Sequence, residues 1–155
     1  MERICLFPGT FDPVTLGHVD IIERAVNLFD KLVIGIGTNS SKQPMFSVEQ
    51  RTGWIQEIFK NDPRIQVTGY EGLTVDYCHK IGANYILRGI RYISDFEYEK
   101  AIADMNRMLA TDIETIFLTC SPLYSTISST LVRDVIRNGG NASMFMPKEV
   151  KLPRP

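Results

Sequence analysis

The residues best suited to bind an anion lie in one stretch near the N-terminus, residues 7–18, which reads FPGTFDPVTLGH. An apolar run at residues 4–7 predicts a buried strand before it, and the apolar residues after it recur at helical spacing. In the loop between them, Gly9 and Gly17 would let the backbone approach a ligand closely, and the free N–H groups of the following helix favour an anion. His18 would add a donor in the first helical turn. The stretch therefore predicts a phosphate site; the alternative is a tight turn whose histidine only caps the helix.

The rest of the chain alternates between strand-like and helix-like segments that would position further polar residues. Apolar runs predict four more strands, at residues 31–37, 65–68, 83–87 and 113–118. Ser47 with Gln50, and Ser94 with Glu97, form capping-box patterns that predict the starts of two of the helices between them. Sequential β-α units with right-handed crossovers predict an α/β fold, a single-domain, doubly wound, five-stranded parallel sheet over residues 1–155.

Two of the predicted helices carry apolar stripes that indicate which side faces the core. In the long helix after residue 94 the stripe consists of Phe96, Ile102, Met105 and Leu109. In the last helix the residues expected to face inward are Leu131, Val132, Val135 and Ile136. Residues 128–130, Ser-Ser-Thr, precede that helix and could be no more than its N-cap.

Polar residues follow every predicted strand at the point where it ends. They are Thr10 after the first strand, Lys42 after the second, Thr74 after the third, Arg88 and Arg91 after the fourth, and residues 124–130 after the fifth. Ligands of such sheets bind at the carboxyl ends of the strands, so we expect these residues to converge on one site. Basic side chains gathered with hydroxyls and glycine turns favour phosphate binding over acid-base chemistry on a neutral substrate.

Each charged residue in this set also has an ordinary structural interpretation. Lys42, in a polar loop, could be a solvated surface lysine, and Glu99 could be an exposed helix acid. Arg88 directly follows a buried-looking strand, so without a ligand it would need an ion pair with a nearby acid, Asp95 or Glu97.

Composition excludes several classes of protein. A chain of 155 residues with 44% hydrophobic content and a net charge of −1 predicts one folded domain without a basic field for nucleic acid. Three cysteines without a C-x-x-C pair indicate neither a disulfide framework nor zinc, and the absence of a signal-like leader or a long apolar run predicts a cytoplasmic protein with no membrane partner. The sequence has neither the phosphate-binding loop of common kinases nor the Gly-x-Ser-x-Gly elbow of hydrolases.

Three motifs together resemble the nucleotidylyltransferase superfamily, and in particular its phosphopantetheine adenylyltransferase branch. They are TFDPVTLGH at residues 10–18, RGIR followed by DFEYE within residues 88–99, and ISSTLVR at residues 127–133. The resemblance extends from Cys5 to about Val150. Tyr124 stands where relatives often have tryptophan, and the chain ends soon after residue 150, where many relatives continue.

The resemblance implies an enzyme that transfers the adenylyl group of ATP to 4′-phosphopantetheine, releasing pyrophosphate and dephospho-coenzyme A by direct in-line attack. The positions that match acceptor-binding residues are Thr10, Lys42, Thr74 and Arg88. Those that match ATP-binding residues are Thr10, Phe11, His18, Gly89, Ile90, Arg91, Glu99, Tyr124, Ser125, Thr126, Ile127, Ser128, Ser129 and Thr130. His18 and Lys42 are the expected catalytic donors to the α-phosphoryl group.

The same resemblance implies Mg²⁺ carried with ATP, without a metal site of the protein's own, together with a homohexamer. Coenzyme A contains the pantetheine arm of the acceptor, so we expect it to act as a feedback inhibitor that competes at Lys42, Thr74 and Arg88. Two other functions stay open from the residues alone. The first is a related nucleotidylyltransferase with a different phosphate acceptor or with CTP. The second is a catalytically silent nucleotide sensor, which would not need acceptor-side Lys42 and Arg88 beside His18. A tRNA-charging enzyme is disfavoured because the chain leaves no room for a tRNA-binding part.

Overall fold

The computed structural model describes residues 1–38 and 43–153. The strands are β1 (Ile4–Gly9), β2 (Lys31–Gly37), β3 (Ile65–Tyr70), β4 (Tyr85–Ile90) and β5 (Glu114–Thr119). The helices are α1 (Leu16–Ala25), α2 (Val48–Ile58), α3 (Thr74–Ile81), α4 (Ile93–Leu109) and α5 (Ser129–Arg137), followed by a short 3₁₀ turn (Ser143–Phe145). All strand pairs are parallel and the order in the sheet is β3-β2-β1-β4-β5. The predicted five-stranded parallel α/β fold is therefore confirmed.

The strand order places a crevice between β1 and β4. The chain starts in the middle of the sheet, runs outward through β2 and β3, and then returns to the other side of β1 with β4. The connections after β1 and β4 therefore leave in opposite directions, which opens the space above their carboxyl ends to a ligand.

The core lies on both faces of the sheet. Alternate residues of β1 divide between the two faces: Cys5 and Phe7 join one buried cluster with α1, α2 and α5, whereas Leu6 joins a second cluster with α3. This explains why the central strands are continuous apolar runs in the sequence. Among the described residues, no helix is long and apolar enough to cross a membrane.

The helix starts were predicted with mixed success. The capping box of α2 is confirmed, because Ser47 Oγ accepts the Gln50 N–H at 3.1 Å and Gln50 Oε1 accepts the Ser47 N–H at 3.0 Å. The predicted box of α4 is wrong. Its helix starts at Ile93, and the Asp95 carboxylate accepts the N–H groups of Arg91 and Tyr92 at 3.0 and 3.2 Å.

The predicted inner face of α4 is wrong for three of its four residues; the fourth, Ile102, is half-buried. Phe96, Met105 and Leu109 are 42%, 65% and 61% exposed, while the buried residue of this helix is Glu99. In α5, Val132 is buried as expected but Leu131 is exposed. Helical periodicity shows that a helix has an apolar stripe, but it does not show which side of the helix faces the core. A helix near the edge of a sheet is oriented by the contacts that its side chains make with the sheet. In α4 the side that faces the core carries a carboxylate paired with an arginine of β4.

Candidate active site

The loop that follows β1 is held in place through its carbonyl oxygens. Arg51 Nη1 donates to Thr10 O at 2.7 Å, Arg133 Nη1 donates to Asp12 O at 2.8 Å, and Ser129 Oγ donates to Pro13 O at 2.8 Å. These donors come from α2 and α5, which flank the loop. The loop between strand and helix is thus fixed from two sides.

His18 closes the start of α1 and also faces the crevice. Thr15 is the N-cap: its Oγ1 accepts the His18 N–H at 3.4 Å, and its own backbone N–H donates to His18 Nδ1 at 3.0 Å. A backbone N–H can only donate, so Nδ1 is the acceptor and the neutral ring carries its proton on Nε2. The cap therefore occupies Nδ1 and leaves Nε2–H free of it, so the two roles predicted as alternatives for His18 do not exclude each other.

The protonation state of His18 follows from its surroundings. Burial lowers the pKa of His18 from 6.5 to about 4, and the positive charges of Arg91 and Arg88 act in the same direction. The Phe11 ring and the imidazole pack in an edge-to-face arrangement, with centroids 4.9 Å apart. At neutral pH His18 is consequently an uncharged donor through Nε2–H.

Two adjoining clefts meet above β1 and β4. The first, of about 350 Å³, is lined by the loop after β1, by His18, Gly89 and Arg91, and by residues 127–130. The second, of about 360 Å³, lies between β4, α3 and α4 and includes Tyr70, Thr74, Glu99 and Asn106. Thr10 and Arg88 line both clefts. This arrangement indicates a site for two ligands, one in each cleft, that meet beside Thr10 and Arg88. We call them the histidine cleft and the threonine cleft, after His18 and Thr74.

Arg88 is oriented by an acid that sequence reasoning did not choose. Its Nε and Nη2 donate to the two carboxylate oxygens of Glu99 at 2.7 and 2.6 Å, and its Nη1 donates to Pro8 O at 2.7 Å. The alternative partners Asp95 and Glu97 are therefore wrong; Asp95 instead pairs with Arg91, with an Nε to Oδ2 distance of 3.3 Å. Within residues 1–38 and 43–153, one N–H on each terminal nitrogen of Arg88 has no acceptor and stays available to a ligand.

The structure brings together most, but not all, of the predicted site residues. The predicted acceptor residues Thr10, Thr74 and Arg88 line the threonine cleft. The predicted ATP residues that line the histidine cleft are Thr10, Phe11, His18, Gly89, Arg91, Ile127, Ser128, Ser129 and Thr130. Of the others, Ile90, Tyr124, Ser125 and Thr126 lie outside both linings, and Glu99 lies in the threonine cleft. Lys42 lies outside the described residues, so its role stays a prediction.

Sequence reasoning missed the residues that support the loop. Asp12 is buried and accepts the N–H groups of Met45 and Phe46 at 2.8 and 2.9 Å. Arg51 is 1% exposed although it occupies an ordinary position in α2. No local pattern distinguishes Arg51 from a solvated helix arginine. For Arg133 the signal was its place in the ISSTLVR motif, although the motif alone did not indicate that its guanidinium binds the loop.

Comparison with known proteins agrees with this architecture. Residues 6–135 match the cytidylyltransferase-like family. A phosphopantetheine adenylyltransferase from Flavobacterium psychrophilum is 55% identical over 97% of this chain and 99% of its own length, and one from Flavobacterium johnsoniae is 52% identical over 97% and 98%. A solved structure of a Vibrio parahaemolyticus protein, thought to be a nicotinate-nucleotide adenylyltransferase, superposes with a TM-score of 0.73 at 19% identity over 97% of this chain and 90% of that one, which shows the fold alone. On the strength of the two close relatives, the chain belongs to the phosphopantetheine adenylyltransferase family, whose members are nucleotidyltransferases.

Proposed function

We propose that this enzyme transfers the adenylyl group of ATP to 4′-phosphopantetheine and releases pyrophosphate and dephospho-coenzyme A. The observation that carries the proposal is the pair of clefts that meet at Thr10 and Arg88, because the reaction needs two phosphate-bearing substrates in contact. The names of the relatives supply the identity of the two substrates.

The histidine cleft would take the triphosphate. His18, Arg91 and residues 128–130 line it. His18 Nε2–H, the terminal N–H groups of Arg91 and the hydroxyls of Ser128 and Thr130 would face the phosphates, whereas the Ser129 hydroxyl donates to Pro13 O. Ser128 and Ser129 lie at the N-terminus of α5, where free N–H groups and the helix dipole favour a phosphate. The Asp12 carboxylate, which also lines this cleft, is already bonded to two backbone N–H groups, and Asp95 pairs with Arg91 through Nε, so the terminal N–H groups of Arg91 would bind the phosphate.

The threonine cleft would take the acceptor. Arg88 would bind its phosphate as a charged donor, and Thr74, whose Oγ1 lies 3.1 Å from Tyr70 Oη, would add a hydroxyl. The apolar part of the lining, which includes Ile86, Ile102 and Ala103, suits the uncharged pantetheine arm. The predicted partner of these residues, Lys42, remains a proposal.

Direct in-line attack requires no protein nucleophile. A phosphate oxygen of the acceptor would attack the α-phosphorus of ATP, and the bond from that phosphorus to the bridging oxygen would break as pyrophosphate leaves. His18 and Arg88 would stabilise the extra negative charge on the phosphoryl oxygens. Cys120, which also lines the histidine cleft, has its pKa raised by burial, so its thiol is protonated and a poor nucleophile. This supports transfer without a covalent enzyme intermediate.

The proposal extends to Mg²⁺, assembly, regulation and compartment. The described residues contain no group of three His, Cys, Asp or Glu side chains that could hold a metal, so Mg²⁺ would be bound mainly by the ATP phosphates. The exposed apolar side chains of α4, among them Met105, Met108 and Leu109, support burial of this surface in a hexamer. Coenzyme A shares the pantetheine arm and would compete in the threonine cleft. Three free cysteines fit the expected cytoplasm.

The test is an acceptor screen with pyrophosphate release as the readout. With Mg²⁺ and ATP, 4′-phosphopantetheine should give pyrophosphate and dephospho-coenzyme A in equal amounts, and coenzyme A should inhibit less as 4′-phosphopantetheine rises. A much higher kcat/KM with another phosphorylated acceptor, or with CTP, would overturn the substrate assignment. Nucleotide binding without any pyrophosphate release would favour the sensor.

A further inference from the structure

Arg51 is a buried cation whose hydrogen bonds go to the backbone. Its side chain on α2 is 1% exposed, and its Nε donates to Phe46 O at 3.0 Å and to Ser47 O at 3.3 Å, while Nη1 donates to Thr10 O at 2.7 Å. Among residues 1–38 and 43–153, no carboxylate lies within ion-pair distance of this guanidinium. The proposed function gives it no contact with either substrate.

Stability alone does not account for such a residue. Removing a guanidinium from water is costly, and replacement of buried charged groups by apolar side chains of similar volume is often neutral or stabilising. α2 already has its own capping box and packs through buried Ile55. Arg51 therefore has a second role to consider besides stability, which is to set the backbone geometry of the loop after β1.

The bond from Arg51 to Thr10 fixes the direction of one peptide unit. In a trans peptide the carbonyl and the next N–H point in opposite directions. With Thr10 O held by Arg51, the Phe11 N–H points away from Arg51, and in the part of the chain that the structure describes no acceptor takes it. Phe11 has φ +49°, a sparsely populated conformation for an aromatic residue that persists only where neighbouring contacts impose it. Phe11 lines the histidine cleft beside His18.

A second set of hydrogen bonds joins residues 10–12 to residues 45–47, with donors and acceptors exchanged between the two segments. The Asp12 carboxylate accepts the N–H groups of Met45 and Phe46, whereas Arg51 donates to the carbonyls of Phe46 and Thr10. Residues 45–47 and residues 10–12 are therefore joined by donors and acceptors from both sides. Such a joint keeps the Thr10–Phe11 peptide from rotating.

We propose that Arg51 is a positioning residue, which holds the Thr10–Phe11 peptide so that the Phe11 N–H donates to a phosphate of the nucleotide in the histidine cleft. The inference rests on the proposed function only in taking ATP as the nucleotide; it does not depend on the acceptor. A hydrogen bond from an N–H to a charged acceptor changes affinity by about tenfold or more.

The test measures ATP binding without acceptor. Arg51→Met should raise the Kd of ATP, measured by calorimetry, about tenfold or more at a temperature where melting curves show the protein folded. Ile55→Ala is the matched control, because it removes a buried side chain from the same helix that makes no hydrogen bond to the loop after β1. It should lower Tm and leave the Kd of ATP within twofold.

Amide NMR gives a second readout that does not require the variant. In the unsubstituted protein, ATP should move the Phe11 amide proton signal downfield, and in Arg51→Met this shift should be lost. An unchanged Kd in Arg51→Met, or a Phe11 amide signal that ATP does not move in the unsubstituted protein, would overturn the inference. If neither the unsubstituted protein nor Arg51→Met binds ATP at all, that result would instead count against the proposed function.

Discussion

The low pKa of His18 should make part of the protein's stability depend on pH. The chain has two histidines, His18 and His79, so their contributions can be separated by substitution. We choose His18→Asn, because its amide oxygen can accept the Thr15 N–H as Nδ1 does and so retain the cap of α1. His79→Asn, at an exposed pair with Asp112, is the control.

The sign and size of this pH dependence follow from the linkage between proton binding and folding. The pKa of His18 is about 4 in the folded protein and 6.5 in an unstructured chain, so between these values the unfolded chain binds a proton and the folded protein does not. Stability from this group is therefore fully present above pH 6.5 and is lost as the pH falls toward 4. Between pH 7.5 and 4.5 the loss amounts to about 2.5 kcal/mol.

The assay is denaturant unfolding across this range. The free energy of unfolding of the unsubstituted protein and of His79→Asn should fall by about 2.5 kcal/mol more than that of His18→Asn between pH 7.5 and 4.5. Equal pH dependence in His18→Asn and the unsubstituted protein would refute the burial argument.

Turnover provides an independent check. The acceptor phosphate itself titrates, with a second pKa of about 6, so the useful quantity is the ratio of kcat for the unsubstituted protein to kcat for His18→Asn. A neutral Nε2–H donor predicts a ratio of about 10²–10³ that stays constant from about pH 5.5 to 8.5. A ratio that grows tenfold on acidification through pH 6.5 would show that the imidazolium is the active form, contrary to our reasoning.

Three further substitutions test the other contacts. Glu99→Gln should raise the acceptor KM several-fold and leave the Kd of ATP within twofold, because Glu99 acts by orienting Arg88. Glu97→Gln, exposed on the same helix, is the control. A changed Kd of ATP in Glu99→Gln would instead support the ATP contact predicted for Glu99 from the sequence. Arg88→Met should raise the acceptor KM at least tenfold in steady-state kinetics, through loss of a charged anchor, and a KM unchanged by this substitution would remove Arg88 from the acceptor site. Ser129→Ala should cost about 1 kcal/mol in unfolding experiments, because the Pro13 carbonyl loses its donor, and unchanged stability would show that water replaces it.

The sequence by itself determined the fold class and the edge of the sheet that carries the candidate site. Continuous apolar runs, helical periodicity and the Ser47–Gln50 cap are local signals. They were enough to predict the order of strands and helices along the chain. Because parallel strands bring their carboxyl ends to one edge, the positions of Thr10, Thr74 and Arg88 in the chain also predicted that they meet.

Only the tertiary structure decided how the side chains at that edge are paired and protonated. The choice of Glu99 over Asp95 for Arg88 depends on the rotation of α4 against β4, and a helical pattern with both apolar and charged stripes does not specify this rotation. The tautomer and low pKa of His18 arise from the Thr15 N–H and from burial, and the use of Arg51 arises from the approach of α2 to the loop after β1. The Arg51–Thr10 bond joins residues far apart in the chain, whereas the Thr15–His18 bond is local and sets only the tautomer. The burial that lowers the pKa of His18 exists only after the elements have packed.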